Sequence, residues 1–364
     1  MLNIPPEEQA QIDKYLIETA KILRKYTEPE KLKDFESIEV EVKHQLMEIV
    51  SPSIGEFFFS EGKEHQPGKT RKVKSIVGEI EIGHKQAQKF GLEGKSPISP
   101  ALRKCCLRAC AKTSYQQAEE DLFEMMSIKI GHSTLHRIVE RHDLPPSQAE
   151  TESEGVSVDG GKICLRSEKG QKGEWRDYKL VSLHDNICEA FFQDPEALRQ
   201  WSREQPLSPI LTCLGDGHDG VWNVMTIIGG KPVVIKREVL DWYHLKENLY
   251  KVGGSLKRLE WVEYLLWHGG VDVAIAELDC LQNKRARNFQ SYLNKHRQRI
   301  PCYRKYQQLG IPIGSGDVES KIKQVGTRVK LAGARWNRDN APRILRLRCA
   351  YLNRSPLLSI YAHS

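Results

Sequence analysis

The chain has 364 residues, enough for two or three domains and at least one sizeable core. Its 55 Lys and Arg against 48 Asp and Glu leave a modest basic excess, and the absence of an 18-residue apolar run excludes a membrane-spanning helix. Nine cysteines without a CxxC pair exclude a disulfide framework, and "MLNIPPEEQAQ" has no signal-peptide pattern, so a reduced cytoplasmic setting is expected.

Residues 1–96 read as helices followed by a short β-hairpin. Apolar residues at three- and four-residue spacing predict helices over 6–25 and 29–50, each with Pro near its start. "KTRKVKSIVGEIEI" (69–82) changes to two-residue alternation around a central Gly, the pattern of a hairpin or bent strand. "CCLRAC" brings Cys105, Cys106 and Cys110 together; metal binding is open to them, but their helical apolar neighbours favour packing.

Residues 97–147 form the next region. In "SYQQAEEDLFEMMSIKIGHSTLHRIVERH" (114–142), Ala118, Leu122, Phe123 and Met126 make one helical face, and a break follows at "SIKIG". A second helix is expected from the N-cap Ser133, with Leu135, Ile138 and Val139 facing back. Two such helices fit a helix-turn-helix, with Ser133, Thr134, His136 and Arg137 at the exposed start of its second helix, or a plain packing hairpin. "DLPP" (143–146) ends that helix.

From 148 to 245 the chain turns to strands, expected at 155–167, 176–185, 187–193, 208–217 and within 231–244. Residues 246–311 read mainly as helices that interrupt an α/β pattern resuming over 312–355. The predicted class is therefore α/β, a mixed sheet with an antiparallel side and a helical insertion.

Two carboxylates stand out. Asp159 follows Val156 and Val158 and precedes two glycines; Asp216 ends "ILTCL" between glycines that leave room for a ligand. A carboxylate at a buried strand end needs a hydrogen bond, a cation or a metal. Glu319 opens a helix after "GSG", 103 residues beyond Asp216, which itself lies 57 beyond Asp159. Three such carboxylates can hold two Mg²⁺ (or Mn²⁺) ions about 4 Å apart for phosphoryl transfer. Residues 321–348 carry nine Lys or Arg against the single acid Asp339, a concentration suited to a polyanion. Within it Lys323, Arg328, Lys330 and Arg335 are candidate phosphate contacts, and Trp336 either stacks on a base or packs in the core. Lys323 also stands one turn after Glu319, where a simple ion pair is the alternative. His218 and His244 are accessory candidates, the first a phosphate contact or loop residue, the second a site residue or part of a helix cap in "DWYH". Asp219 is a weaker rival to Asp216.

The ordered set "VDGGKI", "LGDGHDGVWN", "LDWYHLKENLYKVGG" and "IGSGDVESKIKQVGTRVKLAGARWN", with "SPALRKCCLRACAKTSYQQAEEDL" upstream, resembles the ISKra-type insertion-sequence transposases over roughly residues 70–355. That resemblance implies a DDE-superfamily enzyme with an RNase H-like catalytic core, in which Asp159, Asp216 and Glu319 are the catalytic, metal-binding carboxylates. It implies Mg²⁺-dependent DNA cleavage and strand transfer at terminal inverted repeats, a nucleoid-associated prokaryotic setting, and a homodimer or larger assembly on DNA. It favours the helix-turn-helix. Family members often carry a zinc-ribbon cysteine pattern before that motif, whereas residues 63–96 contain no cysteine, so no structural zinc is expected. An RNase H-like nuclease or resolvase without strand transfer, and a non-catalytic repressor, are the alternatives.

Overall fold

The computed structural model describes residues 3–60, 69–92, 94, 96–168, 171–230, 233–281 and 283–361. Two compact units emerge, Met1–Ala109 with Tyr115–Leu135, and Cys110–Ser114 with His136–Ser364.

The first unit begins with α1 (Pro6–Lys25), which has Pro and two Glu in its first turn and Arg24 and Lys25 in its last, matching the helix dipole. A 3₁₀ turn at Pro29–Leu32 precedes α2 (Phe35–Gln45), so the helix expected from residue 29 starts later. The reason is Asp34, whose carboxylate accepts the Ser37 N–H at 2.8 Å and caps the helix there. A π turn at Leu46–Val50 leads into α3 (Ser51–Phe59), carrying helix beyond the expected end and past Pro52, which lacks an N–H to donate. β1 (Thr70–Ser75) and β2 (Gly78–Gly83) form the antiparallel hairpin. Val73, Ile80 and Ile82 share its buried face with Ala87 of α4 (His84–Lys89) and with Leu92. Gly78 is required at the turn: φ is +102°, and a Cβ there would stand 2.5 Å from the Met47 carbonyl.

α5 (Pro100–Lys112) carries Cys105, Cys106 and Cys110; the last two are fully buried, and burial pushes the Cys110 thiol up to about 12. α6 (Tyr115–Met126) and α7 (His132–Arg141) flank the expected break. Ala118, Leu122, Leu135 and Val139 are buried as expected, whereas Phe123 is exposed. The cap assignment needs correction: α7 begins at His132, placing Ser133 inside its first turn. Glu119 of α6 supplies the acceptor instead, its Oε2 lying 2.7 Å from the His132 N–H and 2.9 Å from Nδ1.

The second unit is built on five strands, β3 (Ser153–Leu165), β4 (Glu174–Leu183), β5 (Cys188–Phe191), β6 (Leu207–Gly215) and β7 (Ile235–Leu240). Their order is β5-β4-β3-β6-β7, antiparallel from β3 through β5 and parallel from β3 through β7. The segment expected to give one or two strands over 231–244 gives only β7; residues 231–232 lie outside the described residues. Between β5 and β6 runs α8 (Pro195–Glu204), and between β6 and β7 runs α9 (Asp219–Ile227). The expected helical insertion is α10 (Trp242–Tyr250), α11 (Leu256–Trp267), α12 (Val271–Leu278), α13 (Lys284–His296) and α14 (Tyr303–Gln308). The chain closes with α15 (Gly316–Val329) and α16 (Ala341–Leu352).

Alternation along β3 and β4 decides what each sheet face does. Val156, Val158, Val181 and Leu183 join the main apolar core with Leu198, Trp201 and Met225. Ser157 and Asp159 point to the other face, where α15 packs across β3 and β4 and α16 packs on β5. No helix among the described residues is long and apolar enough to cross a membrane.

Candidate functional site

Three aspartates stand level on three neighbouring strands, Asp159 in the middle of β3 rather than at the strand end expected, and Asp216 and Asp241 just past the ends of β6 and β7. The parallel register pairs Ser157 with Leu214, so Asp159 and Asp216 lie two residues further along β3 and β6. It pairs Gly215 with Leu240, so Asp216 and Asp241 each follow by one residue. Asp159 is half-buried. Its carboxyl is raised above the usual aspartate value by burial first and by the charges of Asp216 and Glu319 next, against the Gly160 N–H, which donates to Oδ1 at 2.6 Å. Asp159 on β3 and Asp216 just past β6 thus stand side by side, and Glu319 lies on α15, which packs across β3.

Asp216 is fixed by its own turn. Its Oδ1 accepts the His218 N–H at 2.9 Å, and its carbonyl accepts the Tyr292 hydroxyl of α13 at 3.1 Å. The turn needs Gly217, with φ +93° and a Tyr292 hydroxyl 2.6 Å from where a Cβ would stand.

Glu319 is placed by a clamp between two helix starts. Asp241, fully buried, accepts the His244 N–H at 2.8 Å through Oδ1 and so caps α10. Its Oδ2 accepts both the N–H and the Oγ–H of Ser315, the residue before α15. The Trp242 N–H donates to the Ile313 carbonyl at 2.9 Å, and the Tyr243 ring fills the place where a Gly314 side chain would stand. Glu319, one turn into α15, is thereby fixed above β3. Burial would push the Asp241 carboxyl up, but its hydrogen bonds with His244 and Ser315 outweigh that and hold it below the usual value.

His244 completes the group. Its Nδ1 lies 3.5 Å from both Asp241 Oδ1 and Glu319 Oε1, ion-pair distance rather than good hydrogen-bond distance. Asp241, then Glu319 and Asp216, raise the imidazole to about 9 despite partial burial, so it is a cation at neutral pH. The cap in "DWYH" is Asp241, with His244 in the first turn of the helix that it caps. Ligand atoms of Asp241, His244 and Glu319 lie within 4.8 Å of one another. Asp241 is already committed to three donors, and Asp159 and Asp216 are not part of this group.

Other expected residues fall differently. Asp219 is exposed and pairs with Lys295 at 2.5 Å, away from Asp216's role. His218 caps α9, its Nδ1 accepting the Gly220 N–H at 3.0 Å. Glu319 forms an ion pair with His244 and, among the described residues, none with Lys323, which is exposed. Lys330 and Arg335 are exposed as phosphate contacts require. Arg328 is not: it is 1% exposed, donates to the Cys110 carbonyl at 2.6 Å and lies 5.0 Å over the Trp336 ring. Trp336 is likewise buried, its indole N–H donating to the Val329 carbonyl at 3.0 Å. Both belong to the packing beneath α15, because Val325, Arg328 and Val329 share its inward face. Arg348 is a second buried member of the basic stretch, bonded to the Ala111 and Gln324 carbonyls at 3.0 Å. On α7, Ser133 and Arg137 are exposed, Thr134 and His136 are half-buried, and His136 Nδ1 lies 3.3 Å from Glu140.

Neither a family model nor a curated protein matches the sequence.

Proposed function

We propose that the protein is a DNA transposase of the DDE type, with an RNase H-like core in which Asp159, Asp216 and Glu319 bind Mg²⁺ or Mn²⁺. The observation that carries this reading is the register that sets Asp159 and Asp216 side by side on neighbouring parallel strands, with Glu319 on the helix that packs across β3. The mixed sheet, antiparallel from β3 through β5 and parallel from β3 through β7, is compatible with such a core.

The donor set suits the ions. All three groups offer carboxylate oxygens, and the imidazolium of His244 compensates only part of their charge, so divalent cations would relieve the rest. Bound there, the ions would supply Lewis-acid activation of a water or 3′-hydroxyl and charge stabilisation of the leaving oxygen. Asp241 and Ser315 hold the first turn of α15 and thereby the Glu319 carboxylate. His244 balances charge before the ions arrive. Exposed Lys330 and Arg335, with Lys323, would track duplex phosphates, and the exposed start of α7 would read the terminal repeats. Double-stranded DNA is then the partner, and paired ends would call for at least two protomers.

The test is cleavage and joining of DNA carrying the repeats that flank the coding sequence. In Mg²⁺, E319Q should lose cleavage by roughly 10³-fold or more while keeping DNA affinity. Wild-type activity in E319Q would remove the carboxylate centre from the reaction. Cutting without joining by the wild type would make the protein a nuclease.

A further inference from the structure

α1 is a 20-residue helix that buries none of its residues. It is nonetheless patterned for burial. Ile12, Tyr15, Leu16, Thr19, Ile22, Leu23 and the C-cap Tyr26 recur at alternating three- and four-residue spacing, which puts them on one stripe about 21 Å long. Tyr15, Leu16, Ile22 and Tyr26 are between 53% and 77% exposed. Most helical stability in folded proteins comes from packing such a face, so a stripe left this exposed among the described residues points to a partner.

The charges identify the partner. The first half of α1 carries Glu7, Glu8 and Asp13 with only Lys14 opposing them; the second carries Lys21, Arg24 and Lys25 with only Glu18. An identical helix lying parallel would set acid against acid and base against base. Lying antiparallel, it sets each acidic half against a basic half, and the two helix dipoles also oppose favourably. With Thr19 at the centre, Ile12 of one helix meets Tyr26 of the other, and Leu16 meets Ile22 and Leu23, in the 3.5-residue repeat of a coiled coil. Burying the stripe on both helices removes on the order of 1,000 Å² from water, near the lower limit of specific interfaces.

We propose that α1 is a self-association helix, pairing antiparallel with α1 of a second copy of this chain, without DNA. This is independent of the carboxylate centre and of the reaction assigned to it.

Sedimentation of the full-length chain, free of DNA and at micromolar concentration, tests it. The wild type should sediment as a dimer of the 41.7 kDa chain, and L16E/L23E as a monomer. Charge reversal provides a second line that leaves the apolar stripe intact. E7K/E8K/D13K alone and K21E/R24E/K25E alone should each be monomeric, because each gives both halves of α1 the same predominant sign, and mixing the two should restore a dimer. A monomeric wild type overturns the proposal, as does a dimer that survives in L16E/L23E. Reversed chains that dimerise singly, or fail to associate when mixed, overturn the antiparallel pairing. Activity on DNA has no part in these outcomes.

Discussion

Replacing Asp241 by Asn exchanges one oxygen of a buried carboxylate for an amide nitrogen, leaving size and shape almost unchanged. The Asn carbonyl can still accept one set of donors, but its NH₂ then faces an N–H or O–H that also needs an acceptor. If the carbonyl keeps the His244 N–H, the Ser315 N–H and Oγ–H lose their partner. A buried donor left unsatisfied costs about 1–3 kcal/mol, and a weakened helix cap adds up to about 1. The expected loss is roughly 2–4 kcal/mol. Urea unfolding followed by tryptophan fluorescence measures it cleanly, because all seven tryptophans lie between residues 175 and 336, in the second unit. The folded-state carboxyl of Asp241 is held below its ordinary value, so its contribution is present above that value and lost as pH falls through the folded one. The penalty in D241N should therefore shrink in acid. A loss below about 0.5 kcal/mol at neutral pH, within the range of an ordinary surface change, would refute the clamp between α10 and α15.

R328A should destabilise the second unit by about 2–4 kcal/mol in the same urea assay, through the lost bond to Cys110 and lost packing on Trp336. K330A and R335A should leave stability unchanged, while each lowers the log–log salt slope of duplex binding by about 0.9, read by fluorescence anisotropy. His244 is raised to about 9, so its ion pairs stabilise fully below the ordinary value near 6.5 and fade as pH rises through 9. In metal-free buffer, the difference in urea midpoint between the wild type and H244Q should therefore narrow between pH 6.5 and 9.5; a constant difference would contradict the imidazolium.

The place of Asp216 at the end of β6 was legible because apolar strand residues precede it and glycines flank it, whereas β3 runs on past Asp159 through the two glycines that suggested a strand end there. The mixed α/β sheet was legible from its apolar strand residues too. Asp241 and Ser315 were not, since 74 residues separate the two halves of that clamp and neither half is unusual alone. Arg328 was misread from charge density. The spacing of Val318, Val325, Arg328 and Val329 carried the opposite signal, because it sets that arginine among the inward residues of α15. Similarly, the cap of α7 comes from Glu119, thirteen residues before His132, where a short-range cap rule favours the serine beside it. Pairings within one turn or one strand can be read from the sequence; acceptors brought from another element depend on the folded geometry.

The most direct test of the carboxylate centre is anomalous diffraction from crystals of the protein grown with Mn²⁺. The expected result is anomalous density bounded by Asp159, Asp216 and Glu319, with His244 outside the coordination sphere, and weakened or lost in E319Q. Density instead among Asp241, His244 and Glu319 with the imidazole as a ligand, or none near the three carboxylates at saturating Mn²⁺, would contradict it.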